Sequence, residues 1–280
     1  MKKKIGIVSS LVVVFAMVLF FGSCKKMPNG GVPFYIFFDS TTVEITNPAQ
    51  GTAHHKILDV WVEAGAENRG AYELPRGVPI LQSDKVRVVT FAGIADNGDD
   101  DIRVKYPFLR IDTFTVYNPV LGDTVVHHSK YRYYDNLSIW NESFEFVNKF
   151  TNVSVVANSD CEGVNAGKIN FQNDTTAFAY QTSASPIQPV GKGDVYVELE
   201  YKFDVPVEVG MTATVGATSV DLPLMVLSEK TTWNKIYLNF SYLVGYNPAD
   251  NYRLYFKAKK DANSTANLWI DNVKLIYFNN

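Results

Sequence analysis

Short runs of alternating apolar and polar residues, separated by turn residues every ~8–12 positions, fill this chain from Phe34 onward and restrict it to antiparallel β-sheet packing. Residues 34–38 are an apolar run of strand length, and Thr42-Val43-Glu44-Ile45-Thr46 alternates until Asn47-Pro48 ends it. Residues 57–63 and 70–75 read as strands around a turn at 64–68. Residues 85–91 set Val86, Val88 and Thr90 on one face. Residues 108–116 and 123–127 are expected to form a hairpin around Asn118-Pro119-Val120-Leu121-Gly122. The pattern breaks near Tyr133, which places a domain boundary between Tyr134 and Glu142. A second series of strands follows at 144–146, 168–171, 177–180, 195–201, 223–227, 232–238, 252–257 and 268–275. Aromatic residues make up 14 % of the chain, mostly tyrosine and phenylalanine, which suit strands better than helices. The expected fold is all-β, with two antiparallel sandwiches in tandem: a small one over residues 34–138 and a jelly roll over residues 142–280.

Upstream of the strands, Lys2-Lys3-Lys4, an almost unbroken apolar run over 5–21 and the small pair Gly22-Ser23 describe a signal peptide over residues 1–23. The run falls just short of the ~18 apolar residues of a spanning helix. Leu19-Phe20-Phe21-Gly22-Ser23-Cys24 resembles the lipobox of bacterial lipoproteins, with Phe21 where that family prefers leucine. The resemblance implies that the leader is cut off and Cys24 diacylated; the alternative is ordinary cleavage that leaves Cys24 free. Two or three acyl chains anchor stably where one is marginal, since each buried CH₂ contributes ~0.8 kcal/mol. Residues 24–33 then form the lipidated cysteine and a flexible tether. No aspartate follows Cys24, so the usual inner-membrane retention signal is missing and the outer membrane is the expected home. Lys25-Lys26 stands where surface-exported lipoproteins of the Bacteroidota carry acids, which favours the periplasmic face. Asp39-Ser40-Thr41, Asp123-Thr124-Val125 and Asp174-Thr175-Thr176 resemble the O-glycosylation triplets of that lineage.

Without the leader, which carries three lysines and no acid, the 26 basic side chains fall to 23 against 29 acidic ones, a formal charge of −6. That balance argues against nucleic acid as a partner. With Cys24 committed to lipid, Cys161 has no intrachain partner, so a disulfide framework is excluded.

Two stretches resemble known sandwiches. Val60-Trp61-Val62, residues 70–75, Val86-Arg87-Val88-Val89 and Ala92-Gly93-Ile94 are similar to carboxypeptidase-regulatory-like and PEGA-type domains, with Asp84-Lys85 where a glycine is usual. Leu268-Trp269-Ile270-Asp271-Asn272-Val273-Lys274-Leu275 resembles the last strand of galactose-binding-like jelly rolls, which include many carbohydrate-binding modules. Thr232-Trp233-Asn234-Lys235-Ile236 looks like their strand of a tryptophan followed by an aliphatic residue.

No nucleophile elbow, metalloprotease helix, phosphate loop or dinucleotide fingerprint is present, and no catalytic residue is assigned. Glu198 and Glu200 share one face of a strand and read as solvated surface, with a hidden carboxylate pair as the lesser alternative. His54-His55 and His127-His128 are neighbours pointing to opposite faces, so a metal site would have to span both pairs; plain surface histidines are favoured. Cys161 sits between Asp160 and Glu162, which would raise its pKa and weaken it as a nucleophile. Asp96, Asp99, Asp100 and Asp101 gather carboxylates but lack the EF-hand spacing, so a solvated acidic turn is preferred to a calcium loop. No cofactor is expected apart from a structural calcium. The jelly-roll resemblance implies such an ion between an early acid and one on the last strand, at Glu145 and Asp271; the equal alternative is that Asp271-Asn272 only bonds a neighbouring turn. Sugar binding needs flat aromatic faces, and Tyr180, Trp233, Tyr242, Tyr246, Tyr252 and Trp269 supply them. Trp233 and Trp269 lie within strands, where core positions are commoner than platforms. Tyr242 and Tyr246, before Asn247-Pro248, are expected in an exposed loop. The expected role is a non-catalytic, membrane-anchored binding protein whose partner is a glycan or another envelope protein.

Overall fold

The computed structural model describes residues 31–186 and 193–279; Cys24, its leader and the tether up to residue 30 lie outside the described residues. The first sandwich holds β1 (Phe34–Glu44), β2 (Asp59–Ala64), β3 (Glu67–Glu73), β4 (Arg76–Ile80), β5 (Val86–Ala95), β6 (Arg103–Lys105), β7 (Asp112–Val116) and β8 (Thr124–Arg132). One sheet runs β4-β1-β8. The other runs β3-β2-β5-β6, with β7 joining β5. Phe34, Ile36 and Phe38 of β1 alternate inward to meet Val60, Val62, Val78, Val86 and Val88. Thr90 is buried on the same face of β5, as the period-2 pattern requires.

The expected hairpin between 108–116 and 123–127 is not formed. β7 pairs with β5, and β8 runs parallel to β1 in the opposite sheet. The segment between them is a crossover: β1 offers a hydrogen-bonding edge that no local turn signal reveals, and burial of one strand face decides the pairing.

The second sandwich contains β9 (Leu137–Glu142), β10 (Val153–Ala157), β11 (Asn165–Ile169), β12 (Thr176–Tyr180), β13 (Val195–Phe203), β14 (Val207–Val215), β15 (Thr218–Leu227), β16 (Asn234–Asn239), the short helix α1 (Ser241–Tyr246), β17 (Asn251–Lys259) and β18 (Leu268–Phe278). A six-stranded sheet runs β10-β11-β18-β13-β16, with β9 also on β18, and a four-stranded sheet runs β12-β17-β14-β15. Val197, Leu199, Val209, Met211, Leu254, Phe256, Ile270 and Val273 are among the residues that fill the space between them. β14 and the first half of β15 go beyond the expected strands; their hairpin turns at Gly216, whose φ of 56° favours glycine.

The two sandwiches are fused through the outer face of the six-stranded sheet. Tyr196, Tyr237 and Ile276 pack there against Ile94, Tyr106, Phe108, Tyr131 and Tyr133 of the first sandwich. Tyr106 meets Phe108 and Tyr196 edge-on at 5.4 and 5.6 Å, an arrangement adding ~0.5–1.5 kcal/mol per pair beyond burial itself. The 96–101 turn docks onto β16: the Asn97 N–H donates to the Tyr237 carbonyl (3.0 Å) and the Asn239 N–H to Asn97 Oδ1 (2.8 Å). Gly98 permits this approach, since a Cβ there would stand 2.7 Å from Ile236. Asp96 accepts from the Tyr196 hydroxyl (3.0 Å), so it belongs to the junction, while Asp99, Asp100 and Asp101 remain exposed.

Under this junction Glu198 is 1 % exposed and Glu200 3 % exposed, which corrects their reading as solvated surface. Alternation does place both on one face, but the first sandwich covers it. Glu198 accepts from the hydroxyls of Tyr133 (2.6 Å) and Tyr106 (2.9 Å) and faces Lys235 and Lys274 at 3.2 and 3.7 Å. Burial pushes its carboxyl up, but the two ammonium groups and two phenols outweigh that and hold it at about 2.

Candidate functional site

Tyr242 and Tyr246 are 73 % and 67 % exposed, with ring centroids 4.1 Å apart and planes tilted by 35°. They lie on a helical turn, not in the expected loop. Phe240, Leu243 and Val244 are buried at helical spacing and set α1 against the core, so the i, i+4 pair points outward together. Asn247-Pro248 follows the helix, and the Tyr252 hydroxyl ties its end by donating to the Asn247 carbonyl (2.6 Å). Tyr252 itself is fully buried and is no platform.

Trp233 precedes β16 and Trp269 lies on β18; both are half-buried, so neither is the core residue its strand setting suggests. Each carries a lysine over its ring, Lys202 at 5.8 Å from Trp233 and Lys168 at 5.3 Å from Trp269. A second aromatic row crosses the outer face of the four-stranded sheet. Ala177 and Ala179 point inward, which turns half-buried Phe178 and Tyr180 outward beside Tyr255, itself fully buried on that face. Tyr255 lies across Gly210, where a Cβ would meet its hydroxyl oxygen at 2.5 Å, and donates to Glu208 (3.0 Å). Of this row the sequence singled out only Tyr180; the alanine-aromatic alternation was the available signal.

Polar chemistry gathers at the edge of the junction. Asp271 is fully buried, and among the described residues its carboxylate accepts only from the Asn272 backbone N–H (2.7 Å) and side chain (3.1 Å). Burial, with Glu200, Glu145 and Glu162 nearby, pushes it up to about 8 against the Asn272 N–H. Glu145 Oε1 accepts from the N–H groups of Val164 (2.7 Å) and Asn165 (2.9 Å), and Oε2 from the Asn165 side chain (3.2 Å). These bonds, the Asn165 N–H foremost, lower its pKa. Among the described residues no basic side chain hydrogen-bonds Asp271; a hard cation, were one held by Asp271 and Glu145, would brace the last strand without reacting. A cleft of about 700 Å³ opens alongside, between Ala49 and Thr52 of the first sandwich and Glu145, Phe146 and Val147 of the second.

The histidine pairs stay apart. His54 Nδ1 lies 2.7 Å from Glu200, a contact that raises its pKa against burial, whereas His127 stacks on Phe114 and bonds Asp112 (2.7 Å). The His54–Glu200 contact was missed because nothing local links residues 146 positions apart. Cys161 is half-buried and its thiol is pushed up to about 11, by burial and then by Asp271 and Glu145. The direction matches the sequence expectation; the acids responsible are distant in sequence.

No family model matches the chain, and no curated protein matches it. Among solved structures it is similar to the CBM22-1 xylan-binding domain from Paenibacillus barcinonensis Xyn10C, at 15 % identity and a TM-score of 0.39, covering 51 % of this chain and 96 % of that domain. It is also similar to the C-terminal family 22 carbohydrate-binding module of Clostridium thermocellum Xyn10B, at 14 % identity and a TM-score of 0.35, over 50 % of this chain and 92 % of that one. For the family 30 carbohydrate-binding module of a C. thermocellum cellulosomal cellulase the identity is 12 % and the TM-score 0.34, over 49 % of this chain and 90 % of that one.

Proposed function

We propose that this chain is a non-catalytic binding protein of the cell envelope, held at the outer membrane by lipid on Cys24, and that its second sandwich binds a glycan. The carrying observation is the outward-facing Tyr242–Tyr246 pair, a two-ring platform on a helical turn braced by buried Phe240, Leu243 and Val244. Sugar rings stack on such faces, and Phe178 and Tyr180 extend the supply of aromatic surface. Glu198, one of the two carboxylates that share a face of β13, is buried and engaged by two lysines and two tyrosines, which supports a structural part for it over a catalytic one. The lipobox-like run up to Cys24 supports the anchor, and Lys25-Lys26 supports the periplasmic face. Confinement to a membrane raises effective concentration, so a weak site suffices.

The test uses the whole mature chain, since the junction makes residues 142–280 depend on the first sandwich. A broad glycan array should return a polysaccharide ligand, and Tyr242→Ala or Tyr246→Ala should weaken its binding at least tenfold. A clean negative from the folded wild type overturns the glycan reading, and crosslinking in living cells to a single envelope protein would put a protein partner in its place.

A further inference from the structure

We propose that His54, Glu162 and Glu200 form a zinc-class metal site that pins the first sandwich onto the second. One ligand atom from each lies within 4.8 Å of the other two. His54 Nδ1 stands 2.7 Å from Glu200 Oε1 and 3.7 Å from Glu162 Oε2. A tetrahedral zinc with ligand bonds of about 2.0–2.2 Å spaces neighbouring ligand atoms by roughly 3.3–3.6 Å, so shifts of about an ångström, taken up by half-exposed His54 and Glu162 around buried Glu200, accommodate the ion. An imidazole with two carboxylates suits a borderline divalent metal; calcium prefers a shell of oxygens alone. This set is therefore distinct from the all-oxygen pair Glu145 and Asp271.

Local charge leaves room for the ion. Lys235 lies closer to Glu198 (3.2 Å) than to Glu200 (3.7 Å), so it does not neutralise Glu200 alone. Asp271 faces Glu200 across the β13–β18 pairing, fully buried and bonded to Asn272, so no basic group approaches Glu200 from that strand position. The ligands come from three separate places. His54 lies in the segment before β2, Glu162 in the turn between β10 and β11, and Glu200 on β13. A metal held by all three closes a link between residues 146 positions apart, and the half-exposed His54 and Glu162 give it a path from solvent.

The experiment is zinc titration of the whole mature chain by calorimetry, with cobalt as a spectroscopic stand-in and calcium as the competing hard cation. One equivalent of zinc should bind, cobalt should give visible absorption of an imidazole-containing site, and the thermal midpoint should rise with zinc. His54→Ala should weaken zinc binding at least tenfold and alter the cobalt spectrum. His54 is half-exposed, so this variant should keep the wild-type circular dichroism; Glu200→Gln serves as the second ligand variant. His128→Ala, altering an exposed histidine beside Asp39, should leave binding unchanged. Failure of the wild type to bind zinc, equal binding by His54→Ala, or a response to calcium alone would each overturn the site.

Discussion

On β13, Glu198 accepts from two tyrosine hydroxyls and is buried between two lysines beneath the first sandwich. On β14, across the core, Glu208 also accepts from a tyrosine hydroxyl, that of Tyr255, yet stays half-exposed on the outer face of the other sheet. Both strands alternate, β13 setting Tyr196, Glu198 and Glu200 against aliphatic residues and β14 setting Glu208, Thr212 and Thr214 against Val209, Met211 and Ala213. What separates them is whether a second domain lands on the face. A buried acid needs opposite charges and hydrogen bonds to remain ionised; an outer-face acid is served by water. The same pattern therefore yields a structural network on one side and a surface open to ligands on the other.

The sharpest way to break this comparison is Glu198→Ala, which strands two buried lysines. We expect about 3–5 kcal/mol of destabilisation in urea unfolding; a cost near zero would mean that water reaches the network. Next is acid. The Glu198 carboxyl is held at about 2 in the folded protein against 4.5 as its ordinary value, so its stabilising contribution is complete above pH 4.5 and disappears as the pH falls toward 2. About 3 kcal/mol should be lost over that interval in wild type, and this acid sensitivity should be smaller in Glu198→Gln. Tyr133→Phe removes one hydrogen bond to the charged group and should cost about 1.5–3 kcal/mol. On the uncovered helical turn α1, Tyr246→Ala should change stability by no more than ~0.5 kcal/mol while weakening glycan binding. If Tyr246→Ala proved as destabilising as Tyr133→Phe, the distinction between covered and open surface would fail.

Strand faces were legible from the sequence because period-2 patterning directly reports which residues point at a core; Val86, Val88 and Thr90 behave as read. Glu198 and Glu200 misled because alternation reports a polar face and is silent on whether water or a domain lies over it. The supposed 108–127 hairpin misled because a turn-rich connector looks the same whether its strands pair together or cross between sheets. Tyr242 and Tyr246 were recognisable as exposed aromatics, but their stacking depends on the i, i+4 geometry of a helix too short to leave a periodic trace. His54, Glu162 and Glu200 come together only through the junction, which no sequence window contains.

β1 is the middle strand of its sheet, flanked by β4 and by the parallel β8. A pull entering through residue 33 runs along the strand axis and loads both ladders in shear, so many hydrogen bonds must give way together instead of unzipping singly. If Cys24 carries the proposed lipid, its load would therefore enter at a strand that resists opening by the shear of two ladders at once.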